Sequence, residues 1–221
     1  KGLIDRGRTI EPLAFGQAEA YRRAMEHLGR GRNDFYRLLG QGAGKAAARY
    51  GGGEFACVLG QEMAGYATGE VFFASQALGL RHSHLDSGGY SFDQKRASWS
   101  VPEAVDFLTA DERSRVLLTS MVACLFAREV YTPELLAECL TVLGAANLAG
   151  RLPAASEDIQ ALRWRQRLET GYDPAAVAIP RRFTEVATWK GPVDAARLAA
   201  LTAAYAARIK ELGRPEDGPA A

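Results

Sequence analysis

The sequence lacks most of the features that reveal a function from composition alone. Its 221 residues include three cysteines, an odd number in apolar contexts and without a C-x-x-C pair. That argues against a disulfide framework and fits a reducing cytoplasm. Lys and Arg total 27 against 26 Asp and Glu, so the basic excess that nucleic-acid binding needs is missing. No apolar run reaches the roughly 18 residues of a membrane-spanning helix. The longest, around Val116 to Ala127, is interrupted by Thr119 and Ser120. No secretory signal opens the chain, and its first residue is Lys, which suggests a piece of something longer. There is no internal repeat, and no alternation of apolar and polar residues marks a strand.

What is present is a helical pattern over a composition rich enough in apolar residues, 48%, to build a core. Ala14, Ala18, Tyr21, Met25 and Leu28 recur at spacings of four and three, predicting one apolar helix face. Asn33 is a predicted N-cap for a helix from Asp34 towards Tyr50, stopped by Gly51-Gly52-Gly53. Phe55 to Leu59 reads as either strand or helix, and Thr68 as the cap of a short helix over Glu70 to Leu78. Thr109-Ala110-Asp111-Glu112 reads as a capping box opening a helix to about Arg128. Thr132-Pro133-Glu134 starts another, ending near Gly144, and Ser156-Glu157-Asp158 the next. Leu198, Leu201, Tyr205, Ile209 and Leu212 mark the clearest helix. The class is therefore all-α. The expected division is a helical region over 1–100, a helical domain over 101–213 and a flexible tail over 214–221.

Three places carry side chains with chemistry. The first is Gly79 to Gln94, read as a loop, which holds His82 and His84 followed by Asp86, Gly88-Gly89 and Asp93. Imidazoles trade protons near neutral pH, so this is either a proton-transfer loop positioned by Asp86 or Asp93, or a surface loop bonded to backbone. Two histidines alone fall short of a zinc site. The second is Cys124, which among Val, Leu and Phe reads as a small core residue. The third is Thr170 to Phe183, whose Arg181 and Arg182 either clamp an anion or simply follow a turn built on its prolines. Gly40-Gln41-Gly42-Ala43-Gly44-Lys45 has the wrong spacing for a phosphate loop.

At these places, and from about Asn33 to Leu212, the chain resembles the C-terminal helical region of the aldehyde:ferredoxin oxidoreductase family. Phe35-Tyr36-Arg37-Leu38-Leu39-Gly40-Gln41-Gly42 and Ala46 to Gly51 are similar to the family helix before the active-site loops. Phe73-Ala74-Ser75-Gln76-Ala77-Leu78-Gly79 resembles the stretch leading to a histidine beside the metal-pterin site. An ungapped match makes that histidine His82, and a small shift makes it His84. Thr119-Ser120-Met121-Val122-Ala123-Cys124 is similar to an Asp-x-x-Gly-Leu-Cys motif, with Thr for Asp and Val-Ala for Gly-Leu. Gly171-Tyr172-Asp173-Pro174 through Pro180-Arg181-Arg182-Phe183 resembles a late loop that closes over the substrate.

The resemblance implies oxidation of a small aldehyde to a carboxylate at a tungsten (or molybdenum) bis-pterin, a molybdopterin-type cofactor. Electron transfer would leave through a [4Fe-4S] iron-sulfur cluster to ferredoxin or another acceptor. It implies His82 or His84 as the catalytic proton group and Cys124 as one cluster ligand. Thr119, Ser120 and Ala123 become the cofactor contact, and Arg181 and Arg182 the substrate-side loop. The family's C-x-x-C-x-x-x-C run and β-rich pterin domain have no counterpart here. The cofactors therefore belong to a complete enzyme with an N-terminal pterin and cluster domain or subunit, and none is expected in this chain alone. A homo-oligomer is compatible with this. The alternative is a helical scaffold or assembly module of the same fold without cofactor.

Overall fold

The computed structural model describes residues 5–52 and 57–215. These fall into two compact units, one up to Met63 with Pro180–Arg182, the other from Ala64 to Ile179 and from Phe183 onward. Residues 100 and 101, where the sequence suggests a boundary, both lie in the second. Both units are helical, and the described strands are two two-residue antiparallel hairpins. No described helix is long and apolar enough to cross a membrane.

The first unit holds α1 (Ala18–Arg30), α2 (Asp34–Leu39) and α3 (Ala43–Tyr50), then the hairpin β1 (Cys57–Val58) and β2 (Gln61–Glu62). Gly31 ends α1 with φ 56°, a left-handed cap that glycine adopts without strain. Asn33 caps α2 as expected, its Oδ1 accepting the Tyr36 amide at 3.0 Å. The predicted helix to Tyr50 is split at Gly40–Gly42 into α2 and α3. The predicted face of α1 is wrong: Tyr21 and Met25 are exposed, and Ala20 and Ala24 are buried. Small side chains allow the closer approach, so size outweighs hydropathy here. Residues 55 and 56 of the ambiguous apolar stretch lie outside the described residues, and Cys57–Val58 are strand.

The second unit is built around its last helix. It holds α4 (Glu70–Leu78), α5 (Gly89–Lys95), α6 (Val101–Ser120), α7 (Pro133–Val142), α8 (Leu152–Glu169), the hairpin β3 (Ala187–Thr188) and β4 (Gly191–Pro192), and α9 (Ala195–Leu212). α9 packs on α4, α6 and α8. Its spaced residues Leu198, Leu201, Tyr205 and Ile209 are all buried, as are Trp164, Leu108, Phe72 and Phe73 of the core. α4 is buried on every side from Val71 to Leu78, which suits an apolar helix enclosed by others. A second cluster, Leu117, Leu118, Leu136, Leu140 and Leu152, joins α6, α7 and the start of α8.

Three helix boundaries differ from expectation. α6 begins at Val101, with Ser100 and Glu103 forming the capping box and Pro102 in the first turn. Thr109 is in mid-helix, its hydroxyl donating to the Val105 carbonyl at 2.8 Å. α6 stops at Ser120, and the residues to Arg128 form turns and a one-turn 3₁₀ helix rather than its continuation. α8 begins at Leu152, and Ser156 lies inside it. Thr132 caps α7 as predicted, accepting the Leu135 amide at 3.3 Å. Of the tail, residues 216–221 lie outside the described residues.

Candidate functional site: a pinned histidine loop and the cysteine turn

The histidine loop runs from Gly79 to Gly88, and its end becomes α5. It is held at four points. The buried Asp86 carboxylate accepts the Arg81 amide and the Arg81 Nε, each at 2.7 Å. Asp111 of α6 accepts the Gly88 amide at 2.5 Å and the buried Arg115 Nε at 2.5 Å. Arg115 donates onward to the His84 carbonyl at 3.4 Å. Gly88 and Gly89 let the loop lie close, because a Cβ on Gly89 would sit 2.8 Å from the Val71 carbonyl and 2.7 Å from Ser75 Oγ.

His82 is buried with φ 52°, an uncommon left-handed backbone for a non-glycine residue. Arg167 Nη2 lies 3.1 Å from His82 Nε2, and a guanidinium only donates. Nε2 is therefore the acceptor and Nδ1 carries the hydrogen, donated to the Ala77 carbonyl at 3.0 Å. Burial, aided by the Arg167 cation, holds His82 below the ordinary imidazole range against the opposing pull of the Ala77 carbonyl. Neither carboxylate suggested as its orienting partner bonds to it. Asp86 is engaged by Arg81, and the fully buried Asp93 accepts the Phe72 amide at 2.8 Å, capping α4 from α5. Burial raises Asp93 to about 6.

His84 is half-buried, edge-on to Tyr66 at 5.3 Å between centroids. With Tyr90, Arg115, Leu125 and Arg128 it lines a cavity of about 40 Å³. Leu125 and Phe126 belong to the one-turn 3₁₀ helix that starts directly after Cys124. The structure thus brings His84, rather than His82, beside the cysteine turn. Cys124 itself is exposed, which corrects its reading as a core residue: α6 has ended and the chain has turned outward.

That turn has its own geometry. The Ala123 amide donates to the Leu118 carbonyl at 2.9 Å across Val122, whose φ is 57°. This is the left-handed helix stop that glycine usually occupies. A β-branched residue thus holds a conformation that suits glycine. Thr119 and Ser120 are exposed, the Thr119 hydroxyl donating to the Arg115 carbonyl at 2.9 Å. Ala123 packs on the Leu117–Leu152 cluster.

The late loop lines an apolar groove of about 570 Å³ through Pro174, Val177 and Ile179, opposite Ala199, Ala203 and Lys210 of α9. Arg181 and Arg182 are not among its lining residues. They lie with the smaller unit, Arg181 exposed and Arg182 half-buried.

The family described as "Aldehyde ferredoxin oxidoreductase, domains 2 & 3" matches residues 1–216. The chain belongs to this family. No curated protein and no solved structure matches it. The aldehyde ferredoxin oxidoreductase fold of domains 2 and 3 is thus the frame for the helices above. For the cluster such a frame implies, the described donor set fits in part. The Cys124 thiol is exposed and suits one ligand position, but no three His, Cys, Asp or Glu side chains group together among the described residues.

Several residues of the region had no sequence signal. Arg167 reaches His82 from a helix 85 positions away. Asp111 and Glu112 read as part of a capping box, and Arg115 carries no signal of its own. Glu112 is buried, its Oε2 accepting Gln160 Nε2 at 2.7 Å and Trp164 Nε1 at 2.8 Å. Burial raises Glu112 to about 7.

Proposed function

We propose that this chain is the C-terminal part of an aldehyde ferredoxin oxidoreductase-like enzyme that oxidises an aldehyde to a carboxylate. The reading is carried by one observation: His84 and the turn that starts at Cys124 share a cavity, and both are positions that the family resemblance picks out. When bound, a tungsten or molybdenum bis-pterin with a [4Fe-4S] cluster would supply the oxygen-transfer and two-electron chemistry. This chain's part is to orient and to handle protons. His84, held through its carbonyl by Arg115, keeps its ring free of the backbone bonds that engage His82, and so can exchange a proton at its imidazole. His82 orders the loop as a neutral imidazole. Cys124 offers one thiolate, and the remaining ligands come from an N-terminal domain or subunit. The buried Gln76 amide, whose Nε2 and Oε1 both lack a partner among the described residues, lies just before the loop. The apolar groove under the late loop supports a substrate side there.

The test is aldehyde-dependent reduction of a viologen dye by the complete protein. His84→Gln is expected to lower kcat by about 10²-fold or more, the scale of a lost general acid or base. An unchanged kcat with His84→Gln refutes the role. A second reading is a scaffold of this fold without cofactor, favoured by the doubly bonded His82 and by Thr119 standing where the motif has Asp. A complete protein free of metal and inactive on aldehydes would favour it.

A further inference from the structure

On the far side of His82 from the cysteine turn's cavity, one pocket gathers three arginines, of which Arg81 is paired with a carboxylate. Its volume is about 330 Å³, and it is lined by Leu80, Arg81, Arg163, Gln166, Arg167 and Thr170. Arg163 and Arg167 are four residues apart on α8, hence on one helix face. Arg81 at the rim is matched by Asp86 at 2.7 Å. Neither Arg163 nor Arg167 makes a close ion pair among the described residues, although the Arg163 charge is felt by the buried Glu112 carboxyl.

Arg167 is fixed in place. Its Nη2 bonds to His82 and its guanidinium lies 4.8 Å over the Tyr172 ring, while its Nε is buried and without a partner. Two like charges on one face repel unless an anion joins them, and a planar guanidinium pair suits an oxyanion. The Thr170 hydroxyl proton is already given to the Arg167 carbonyl at 2.7 Å, so the remaining donors are the guanidinium groups and the Gln166 amide. We infer that this pocket binds a phosphate-type dianion, as free phosphate or as the phosphate of a small monoester. The volume exceeds what a bare phosphate fills, leaving room beside Leu80 for an organic group.

The test is titration of the chain at constant ionic strength, followed by calorimetry and by the ring NMR signals of His82, which Arg167 touches. The probes are inorganic phosphate, glycerol 3-phosphate and glycerol. Saturable binding of either phosphate, with His82 responding and glycerol silent, is expected. The tighter of the two identifies the source. Arg163→Ala, which removes a side chain that makes no hydrogen bond among the described residues, should weaken binding about tenfold, the scale of one charge-assisted contact. Arg208→Ala, on α9 and paired with Asp106, should leave it unchanged. Non-saturating binding, or equal affinity in a folded Arg163→Ala protein, would overturn the proposal.

Discussion

Replacing Glu112 with Gln isolates one buried ionisation and its effect on stability. The carboxyl sits at 3% exposure between α6 and α8, with Tyr205 of α9 and Asp86 of the histidine loop nearby. Desolvation outweighs the hydrogen bonds from Gln160 and Trp164 and raises it from 4.5 to about 7. A raised carboxyl pKa means that the folded state keeps a proton the unfolded state has released. The contribution is therefore fully present below pH 4.5 and is lost as pH rises through 7. At about 1.4 kcal/mol per pH unit, the ceiling of that loss is about 3.5 kcal/mol. Gln cannot titrate, and its Oε1 can still accept from Trp164 and Gln160. Urea unfolding of both proteins between pH 5 and pH 8, followed by far-UV circular dichroism, measures the difference. The wild-type chain should lose stability relative to Glu112→Gln by about 2–3 kcal/mol over that range. Asp93, raised to about 6, tilts both curves alike and cancels in the comparison. Parallel curves would show that Glu112 does not titrate in this window and would refute the reasoning.

Other outcomes follow from the same geometry. Val122→Gly should stabilise the chain, against the usual penalty for glycine. Val122 is 93% exposed at φ 57°, so relief of about 1–2 kcal/mol of left-handed strain exceeds the glycine entropy of about 0.5–1 kcal/mol. Thermal unfolding checks it, and a lowered Tm would contradict it. Gly89→Ala should lower Tm by roughly 2–10 °C, because its Cβ would meet the Val71 carbonyl at 2.8 Å and Phe72 Cα at 3.0 Å, neither able to yield. An unchanged Tm would show that the loop can lift away from α4. Of the three thiols, exposed Cys124 and Cys139 should react quickly with Ellman's reagent. Cys57, whose thiol burial pushes up, should react slowly. Three equal rates would contradict this.

The sequence made legible what local physics determines. Asn33 and Thr132 are caps because their side chains reach back to amides of the first turn. α9 is visible because its apolar spacing matches the face it buries. The errors share a cause, the placing of a residue by its own chemistry rather than by its neighbours'. Tyr21 and Met25 look like a core face, yet Ala20 and Ala24 make the close contact. Glu112 looks like the end of a capping box and is instead buried in mid-helix, where Gln160 and Trp164, far along the chain, supply donors. Ser100-x-x-Glu103 carries the capping signal as plainly as Thr109-x-x-Glu112, and only the fold tells them apart. At the candidate site, the pair of histidines was visible but their division of labour was not. It depends on Arg167 and Arg115, which come from other helices.

The most direct test of the functional account is the visible spectrum and iron content of the complete protein, compared between Cys124→Ala and Cys139→Ala. Both thiols are exposed, so accessibility alone does not separate them. The account predicts that Cys124→Ala loses the iron–sulfur absorbance and the iron, while Cys139→Ala keeps both. Equal loss in the two variants, or full absorbance in Cys124→Ala, would contradict it.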